Sequence, residues 1–491
     1  MRLLILLLFP ILAIINEPQD SLKADQQLKK YNLKSHESLV RFKHKSKVPG
    51  LAFAIFNGKE TIFSECMGNS TYGFKINDET IFSIQSISKN ITALAVMKAV
   101  QDSLLNLDTP INTYLPSFTV HSCFEDSPEQ KITLRMILSH RAGFTHEAPV
   151  GNSYDLTPCD IQDHINSISD TWLKFPAGTN YSYSNLGYDL ASEIISRKTG
   201  ISFNDYLELK IFQPLSMTHT TADDKVVMLN KNRTEGNIVA VKNAHYSISL
   251  QGSGAVYTSL QDIIKYTRLL MNYGETSDRT LIDRKYLYEM FRINLNNYGL
   301  GTYLDKSDDI FYVNHNGGGV GYSATLLWFP EYNLGSVILC NNRCSTFDIC
   351  LSVMKEYINT MGLTKNAGVT ALFEDLNGYY FKNKTAIDAR KVFTFKCDTI
   401  FRLEWGSYIG TYILETKGMD LKWWAKLGRF FGLGYDRIKI IREGDELIMT
   451  GSQGKCTLKE FKPGLFFTDD NEALDLRTDK PAFRNILLRK K

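Results

Sequence analysis

The chain has 491 residues, 43% hydrophobic and 12% aromatic, with a formal net charge of +3. That length supplies ample apolar material for a buried core and exceeds one ordinary domain, so two domains are expected. Apart from the terminal Arg489-Lys490-Lys491 no long basic run occurs, which argues against nucleic acid as a partner.

The N-terminus reads as a targeting segment. Arg2 precedes an apolar run from Leu3 to Ile15, and polar residues follow from Asn16. The run is short for a bilayer span and suits a signal peptide over residues 1–16, which implies a secreted or periplasmic protein. The alternative is an uncleaved segment that anchors the chain to a membrane. Residues 21–47 are Lys-rich with helical periodicity. A hairpin is expected next, with strands at 51–56 and 60–63 around Asn57-Gly58.

A short strand at 82–84 leads into a helix from about Ser86 to Asp102. Its apolar face, with Ile87, Ala93, Leu94, Val96, Met97 and Val100, is too broad for a surface helix. Helical patterns recur near 133–139, 160–168, 186–198, 202–209, 260–273 and 284–292. Strand character returns at 299–302, 310–314, 322–328 and 335–340, and a helix is expected at about 346–360. Strands at both ends with helices between them predict one sheet built from both ends of the region, with a helical lobe inserted. From about 370 short alternating runs dominate, at 392–396, 401–405, 438–441, 446–449 and 465–467. They predict a small all-β domain, either a sandwich or a barrel.

Eight cysteines are present, an even number that permits disulfides in an exported chain without specifying their pairing. Cys340, Cys344 and Cys350 form the one cluster, and its spacing does not suit zinc. Of the Asn-x-Ser/Thr sequons, those at Asn90 and Asn180 fall inside the motifs below, where a glycan would obstruct.

Three segments carry chemistry. Ser86-Ile87-Ser88-Lys89 places a hydroxyl and an amine three residues apart at the start of a buried helix, within reach of each other. The helix N-terminus favours a developing oxyanion, and partial burial lowers the amine's pKa so that it can take the serine proton. The plainer alternative is an N-cap serine beside an exposed lysine, and Ser83 and Ser88 are rival hydroxyls. Tyr183-Ser184-Asn185 can point a phenol and an amide into one cleft for proton relay and carbonyl binding. Its plainer alternative is a turn in which Tyr183 packs and Asn185 caps the next helix. His315-Asn316-Gly317-Gly318-Gly319 lets backbone approach a substrate, so that an N–H there completes an oxyanion hole, with His315 as a polar or proton-transferring neighbour. A glycine-rich hairpin with a surface histidine is the competing reading.

Together with their flanks, these segments resemble the β-lactamase-related serine hydrolases, which include class C β-lactamases, D-Ala-D-Ala carboxypeptidases, D-aminopeptidases and esterases. Phe82 to Met97, Leu107-Asp108-Thr109-Pro110, Ile132 to His140 with Gly143, Gly252 to Tyr257 with Asp262, and Trp328-Phe329-Pro330 are similar to that family's stretches over roughly residues 40–360. The resemblance implies an α/β (α+β) fold like that of β-lactamases and penicillin-binding proteins: an antiparallel sheet flanked by helices plus a helical lobe. It implies a hydrolase domain at 35–362, with a C-terminal accessory domain at 370–491 whose start, Leu376-Asn377-Gly378-Tyr379-Tyr380, looks like that of the family's β-barrels. It further implies Ser86 as nucleophile, Lys89 as base and Tyr183 as proton relay. Asn185, His315, Gly317 and Gly318 would then be substrate-binding or oxyanion residues, and His140 a support of the fold. A histidine in the third motif suits the esterase and peptidase branches better than β-lactamases.

The expected activity is hydrolysis of small amides, peptides or esters through an acyl-enzyme, with no metal or cofactor. A homo-oligomer is compatible with the family. The alternatives are a non-catalytic binding or self-assembling scaffold on the same fold, and a protein whose C-terminal domain binds the main ligand.

Overall fold

Alternation along the first strand sets the architecture. In β1 (Gly50–Asn57) Leu51, Phe53 and Ile55 face one way and Ala52, Ala54 and Phe56 the other, and all six are buried. A strand buried on both faces belongs at the centre of a layered structure. The computed structural model describes residues 17–70, 73–152, 157–237, 250–388, 391, 393–394, 405–415, 437–451, 454–477 and 480–491. The segment read as a signal peptide lies outside them. No helix among the described residues is long and apolar enough to cross a membrane.

β1 pairs with β2 (Thr61–Gly68) across the Asn57-Gly58 turn, and on its other side with β8 (Leu334–Cys340). Between these come β3 (Phe82–Ser83) and β4 (Tyr257–Thr258), which pair with each other apart from the main sheet. β5 (Tyr303–Ser307), β6 (Ile310–Gly318) and β7 (Ser323–Phe329) complete a six-stranded antiparallel sheet in the order β2-β1-β8-β7-β6-β5. The sheet is thus built from both ends of the region, as expected. One shift is found: the strand expected at 299–302 is a loop and the pairing strand is β5. Gly299 and Gly301 there let the chain pass close to other backbone, Gly301 taking a positive φ beside the start of the helix Ser88–Gln101.

One face of the sheet carries α1 (Glu17–Lys45) and the helix Phe347–Met361. Tyr31, Ser35 and Leu39 of α1 recur at helical spacing and are buried. The Tyr31 hydroxyl donates to the Val353 carbonyl, and Lys34 pairs with Glu356. The other face carries α2 (Ser88–Gln101) and the helical lobe. α2 is buried almost all round. Asn90 is fully buried, donating to the Gly301 carbonyl and accepting from the Tyr266 hydroxyl, so its sequon cannot carry a glycan in the folded chain.

The segment expected to open the accessory domain is helical instead. Leu376 to Tyr380 lie within the helix Ala367–Ile387, capped by Asn366, which accepts from the N–H groups of Gly368 and Val369. Phe373 and Tyr380 form its buried stripe against the sheet–helix unit. Asn377 resembles turn punctuation but is occupied, accepting from the Ile293 N–H and donating to the Phe291 carbonyl. A boundary at 370 therefore falls inside a helix that packs on the preceding domain. The runs expected as strands at 392–396 and 401–405 fall mostly outside the described residues, and Trp405 begins a short helix, Trp405–Tyr408.

The C-terminal unit is a closed barrel. Its strands are β9 (Gly410–Leu414), β10 (Arg437–Glu443), β11 (Glu446–Gly451), β12 (Gly454–Lys462), β13 (Leu465–Phe467), β14 (Ala473–Asp475), β15 (Ala482–Phe483) and β16 (Ile486–Lys490), with β16 returning to pair with β9. Closure leaves no free sheet edge. Ile440, Leu447, Phe466 and Leu474 fill the interior. Cys66, Cys123, Cys340, Cys344, Cys350 and Cys456 are free thiols.

Candidate active site

Ser86 lies in a single 3-10 turn, Gln85–Ile87, immediately before α2. Gln85 takes a positive φ of 48°, a conformation a non-glycine residue adopts only when its surroundings impose it. Lys89 is one turn on, fully buried, and its Nζ donates to three acceptors: Ser86 Oγ at 3.2 Å, Asn185 Oδ1 at 2.7 Å and the Ser253 carbonyl at 3.0 Å. The rival serines are engaged elsewhere. Ser88 Oγ accepts from the Val256 N–H, and Ser83 Oγ accepts from the Gln85 side chain. Burial brings the Lys89 amine down to about 7, against the opposing charges of Asp189 and Glu147.

Tyr183 and Asn185 reach the same point from the far side. Tyr183 lies close enough to Ser86 for that side chain to act on its phenol, and its ring lies 4.9 Å from Lys89 Nζ. Burial raises its phenol well above the ordinary value, so the hydroxyl keeps its proton. Asn185 precedes the helix Leu186–Thr199 but does not cap it with its side chain. Ser184 Oγ accepts from the Leu186 N–H instead, which frees the Asn185 amide for Lys89. His140 accepts from the Ser184 N–H and packs 4.3 Å from the Tyr183 ring, holding the motif in place.

The third segment forms the end of β6. A Cβ on Gly317 would collide with the Ile84 carbonyl, so glycine lets this strand lie against the Ser86 turn. Gly319 N–H donates to the Tyr322 carbonyl across the hairpin. Antiparallel pairs alternate, so the next pair, Gly318 with Ser323, is the one without mutual hydrogen bonds, and the Gly318 N–H points away from β7. β5 ends its pairing at Asn314, which leaves that edge open beside Ser86.

His315 is placed differently from a surface or proton-transferring histidine. It is buried, its Nδ1 faces the Asn316 carbonyl at 2.9 Å and its Nε2 the Tyr298 hydroxyl at 3.0 Å. A carbonyl only accepts, so Nδ1 carries the proton and Nε2 accepts. Burial and the charge of Lys89 bring the ring down to about 3, so it is neutral. Transfer of a proton through His315 would require one of these bonds to break.

Several flanking groups escape a reading of motifs. Tyr181, Tyr188, Tyr298 and Tyr303 pack around His140 and His315. Glu147 is buried beside the Asn185 amide at 3.4 Å and contacts His146 at 2.9 Å. The barrel touches this same loop: Thr145 donates to Glu472 at 2.8 Å, and Asn485 donates to the Glu147 carbonyl at 2.8 Å. Lys174 pairs with Glu472, and Trp172 packs on Phe461 and Phe467 of the barrel. Among the described residues no group of three or more His, Cys, Asp or Glu could hold a metal ion.

The arrangement joins a hydroxyl, a buried amine of lowered basicity, a protonated phenol and an open N–H edge. Comparison with known proteins agrees with it at the level of fold. Protein flp of Staphylococcus aureus (strain MRSA252) is 24% identical over 317 residues, covering 60% of this chain and 60% of its own length. Beta-lactamase-like protein 4 of Dictyostelium discoideum is 26% identical over 366 residues, covering 67% of this chain and 63% of its own. The matches thus span about 60% of the length of these relatives. An octameric penicillin-binding protein homologue from Pyrococcus abyssi superimposes with a TM-score of 0.59 at 18% identity, over 92% of this chain and 94% of that one. A class C β-lactamase superimposes with a TM-score of 0.56 at 16% identity, over 67% of this chain and 96% of its own. The family model described as Beta-lactamase matches residues 37–348, and the chain belongs to the β-lactamase family.

Proposed function

We propose that the protein is a serine hydrolase that acts on small amides or esters through an acyl-enzyme on Ser86. The observation that carries this is the Lys89 amine, buried, 3.2 Å from Ser86 Oγ and brought down to about 7, where a neutral base is available near neutral pH. Lys89 takes the Ser86 proton as Oγ bonds to the substrate carbonyl carbon. The N–H groups of Ser86 and Gly318 hold the resulting oxyanion. As the tetrahedral species collapses, Tyr183 gives its proton to the leaving amine or alcohol and regains one from the Lys89 ammonium. Water then enters, loses a proton along the same route, and releases the acid and free Ser86. Asn185 holds Lys89 and meets the substrate carbonyl side, and His315 supports the wall through Tyr298. Neutral His315 in place of a cation favours peptides, D-aminoacyl amides or esters over β-lactams. The octameric state of the Pyrococcus homologue makes a homo-oligomer of this chain a reasonable proposal, checked by light scattering.

The test is labelling with a fluorophosphonate, followed by turnover on panels of esters, D-aminoacyl amides and β-lactams. Wild type is expected to label and Ser86→Ala not to. Equal labelling of the two removes Ser86 from the mechanism. A wild type that neither labels nor turns over any substrate would favour a non-catalytic scaffold.

A further inference from the structure

Two buried titratable side chains lie one layer behind Lys89 and take no part in the steps above. Asp189 sits one helical turn after Asn185, and His164 lies on the helix Ile161–Ser167; both are fully buried. His164 Nδ1 is 2.7 Å from the Val150 carbonyl oxygen, and Nε2 is 3.1 Å from Asp189 Oδ2. Carbonyl and carboxylate oxygens only accept, so both ring nitrogens donate and the ring is an imidazolium. Three further donors converge on Asp189. The Gly252 and Ser253 N–H groups reach Oδ1 at 3.0 and 2.9 Å, and the Ser253 hydroxyl reaches Oδ2 at 3.2 Å. That is the environment of an ionised carboxylate.

The turn these bonds hold is the one that meets the candidate base. A Cβ on Gly252 would run into the Tyr188 carbonyl, so the turn lies pressed on the helix that bears Asp189. With the turn fixed there, the Ser253 carbonyl accepts from Lys89 Nζ. We propose that His164 and Asp189 are a positioning pair for Lys89. Asp189 clamps the 252–253 turn so that its carbonyl meets the amine, and His164 supplies the positive charge that offsets Asp189 and keeps it from holding Lys89 as an ammonium. This rests on Lys89 being the base of the proposed hydrolase.

Charged and titratable groups face Lys89 from several elements. Asp189 and Glu147 favour its ammonium form. His140 and His315 are both held below the ordinary histidine range, first by burial and then by Lys89 itself. Tyr183 and Tyr188 lie with their rings against the amine and stay protonated. His164 is pushed down by burial, but the Asp189 contact, the Val150 carbonyl and Glu147 outweigh that and hold it above its ordinary value.

The experiment uses the full chain as wild type, His164→Gln and Asp189→Asn, with thermal melts to establish folding. Two readouts are taken against pH: the rate of fluorophosphonate labelling at Ser86, and the 13C NMR shift of the Lys89 ε-carbon, assigned by its loss in Lys89→Met. His164→Gln leaves Asp189 without its counter-charge and is expected to move the Lys89 midpoint up by about 0.5–1 pH unit. Asp189→Asn removes the negative charge and is expected to move it down by a similar amount. A merely structural role would let water in and move both midpoints up towards ordinary lysine, so two upward shifts, or none, overturn the proposal. Should Asp189→Asn not fold, the double variant His164→Gln/Asp189→Asn replaces it. Its midpoint must fall to the wild-type value or below, and one as high as in His164→Gln overturns the pairing. If wild-type Ser86 never labels while the NMR midpoints split as stated, the hydrolase reading fails and the pairing stands. If Ser86 labels and the midpoints do not split, the pairing fails and the hydrolase reading stands.

Discussion

Lys89 and the barrel meet the candidate site in opposite ways. Lys89 is enclosed by the sheet–helix unit, with three protein acceptors and an ionised pair behind them. Among the described residues the barrel meets the rim of the site, through Glu472 and Asn485 on the loop at 145–147. The proposed reacting groups thus sit where burial tunes their charge, and the described part of the second domain meets a loop beside them. The difference teaches where large and small effects should fall. Changes inside should act on the chemical step, and changes at the rim on the fit of the substrate.

The largest effect is expected from Lys89→Met. It keeps the volume and removes the base, and acylation should fall on the order of 10³–10⁵-fold. The pH dependence sharpens this. A base must be neutral to take a proton, and a pKa of about 7 means that activity rises with pH through about 7. A wild-type kcat/KM profile flat between pH 5 and 9 would contradict Lys89 as the base. Tyr183→Phe comes next. The ring and its packing on His140 remain, while the proton relay is lost, and kcat should drop about 10²–10⁴-fold with KM little changed. The loss should be smaller for substrates whose leaving group is already a weak base, such as nitrophenyl esters. An equal loss for all leaving groups would break the assignment of Tyr183 as the acid.

The same contrast explains what could be read from residues alone. The short-range signals were legible. Ser86 and Lys89 stand three apart at a helix start, Tyr183 and Asn185 two apart before another, and Gly317 permits the approach to Ile84. The sheet built from both ends of the region and its helical lobe were legible too, because β1, β7 and β8 carry long apolar runs, while its antiparallel order was implied by the family resemblance. The partners that tune Lys89 were not. Asp189, His164, Glu147 and the Ser253 carbonyl come from separate segments, and only the fold brings them to one point. His315 reads from its glycine-rich context as a polar or proton-transferring neighbour, and the structure adds that its ring turns inward to Tyr298. The helix Ala367–Ile387 was hidden by Asn377 and Gly378, which mark turns elsewhere. Here the asparagine side chain is bonded to the backbone of a neighbouring segment.

Within the sheet–helix unit, Gly317→Ala tests the close approach of β6 to the Ser86 turn. The new methyl meets backbone that has no room to move, so about 1–3 kcal/mol of strain is expected, seen as a lower melting temperature and slower acylation together. Retention of full activity and stability would show that the strand does not need to lie so close.

The smallest effect is expected at the rim. Asn485→Ala removes the donor to the Glu147 carbonyl and leaves Glu472 and its partners Thr145 and Lys174 in place. One neutral hydrogen bond is worth about 1 kcal/mol, which corresponds to about fivefold in a rate or an affinity. Because the bond holds a loop and touches no reacting group, the change should appear in KM rather than kcat, and the acid limb near pH 7 should stay where it is. Glu472→Gln should act in the same direction, since it weakens the hold of Lys174 and Thr145 together. If either variant lowers kcat about tenfold or moves the acid limb, the barrel acts on Lys89 through Glu147, whose carboxylate lies between them. The division between a tuned interior and a fitting rim would then give way to a single coupled site.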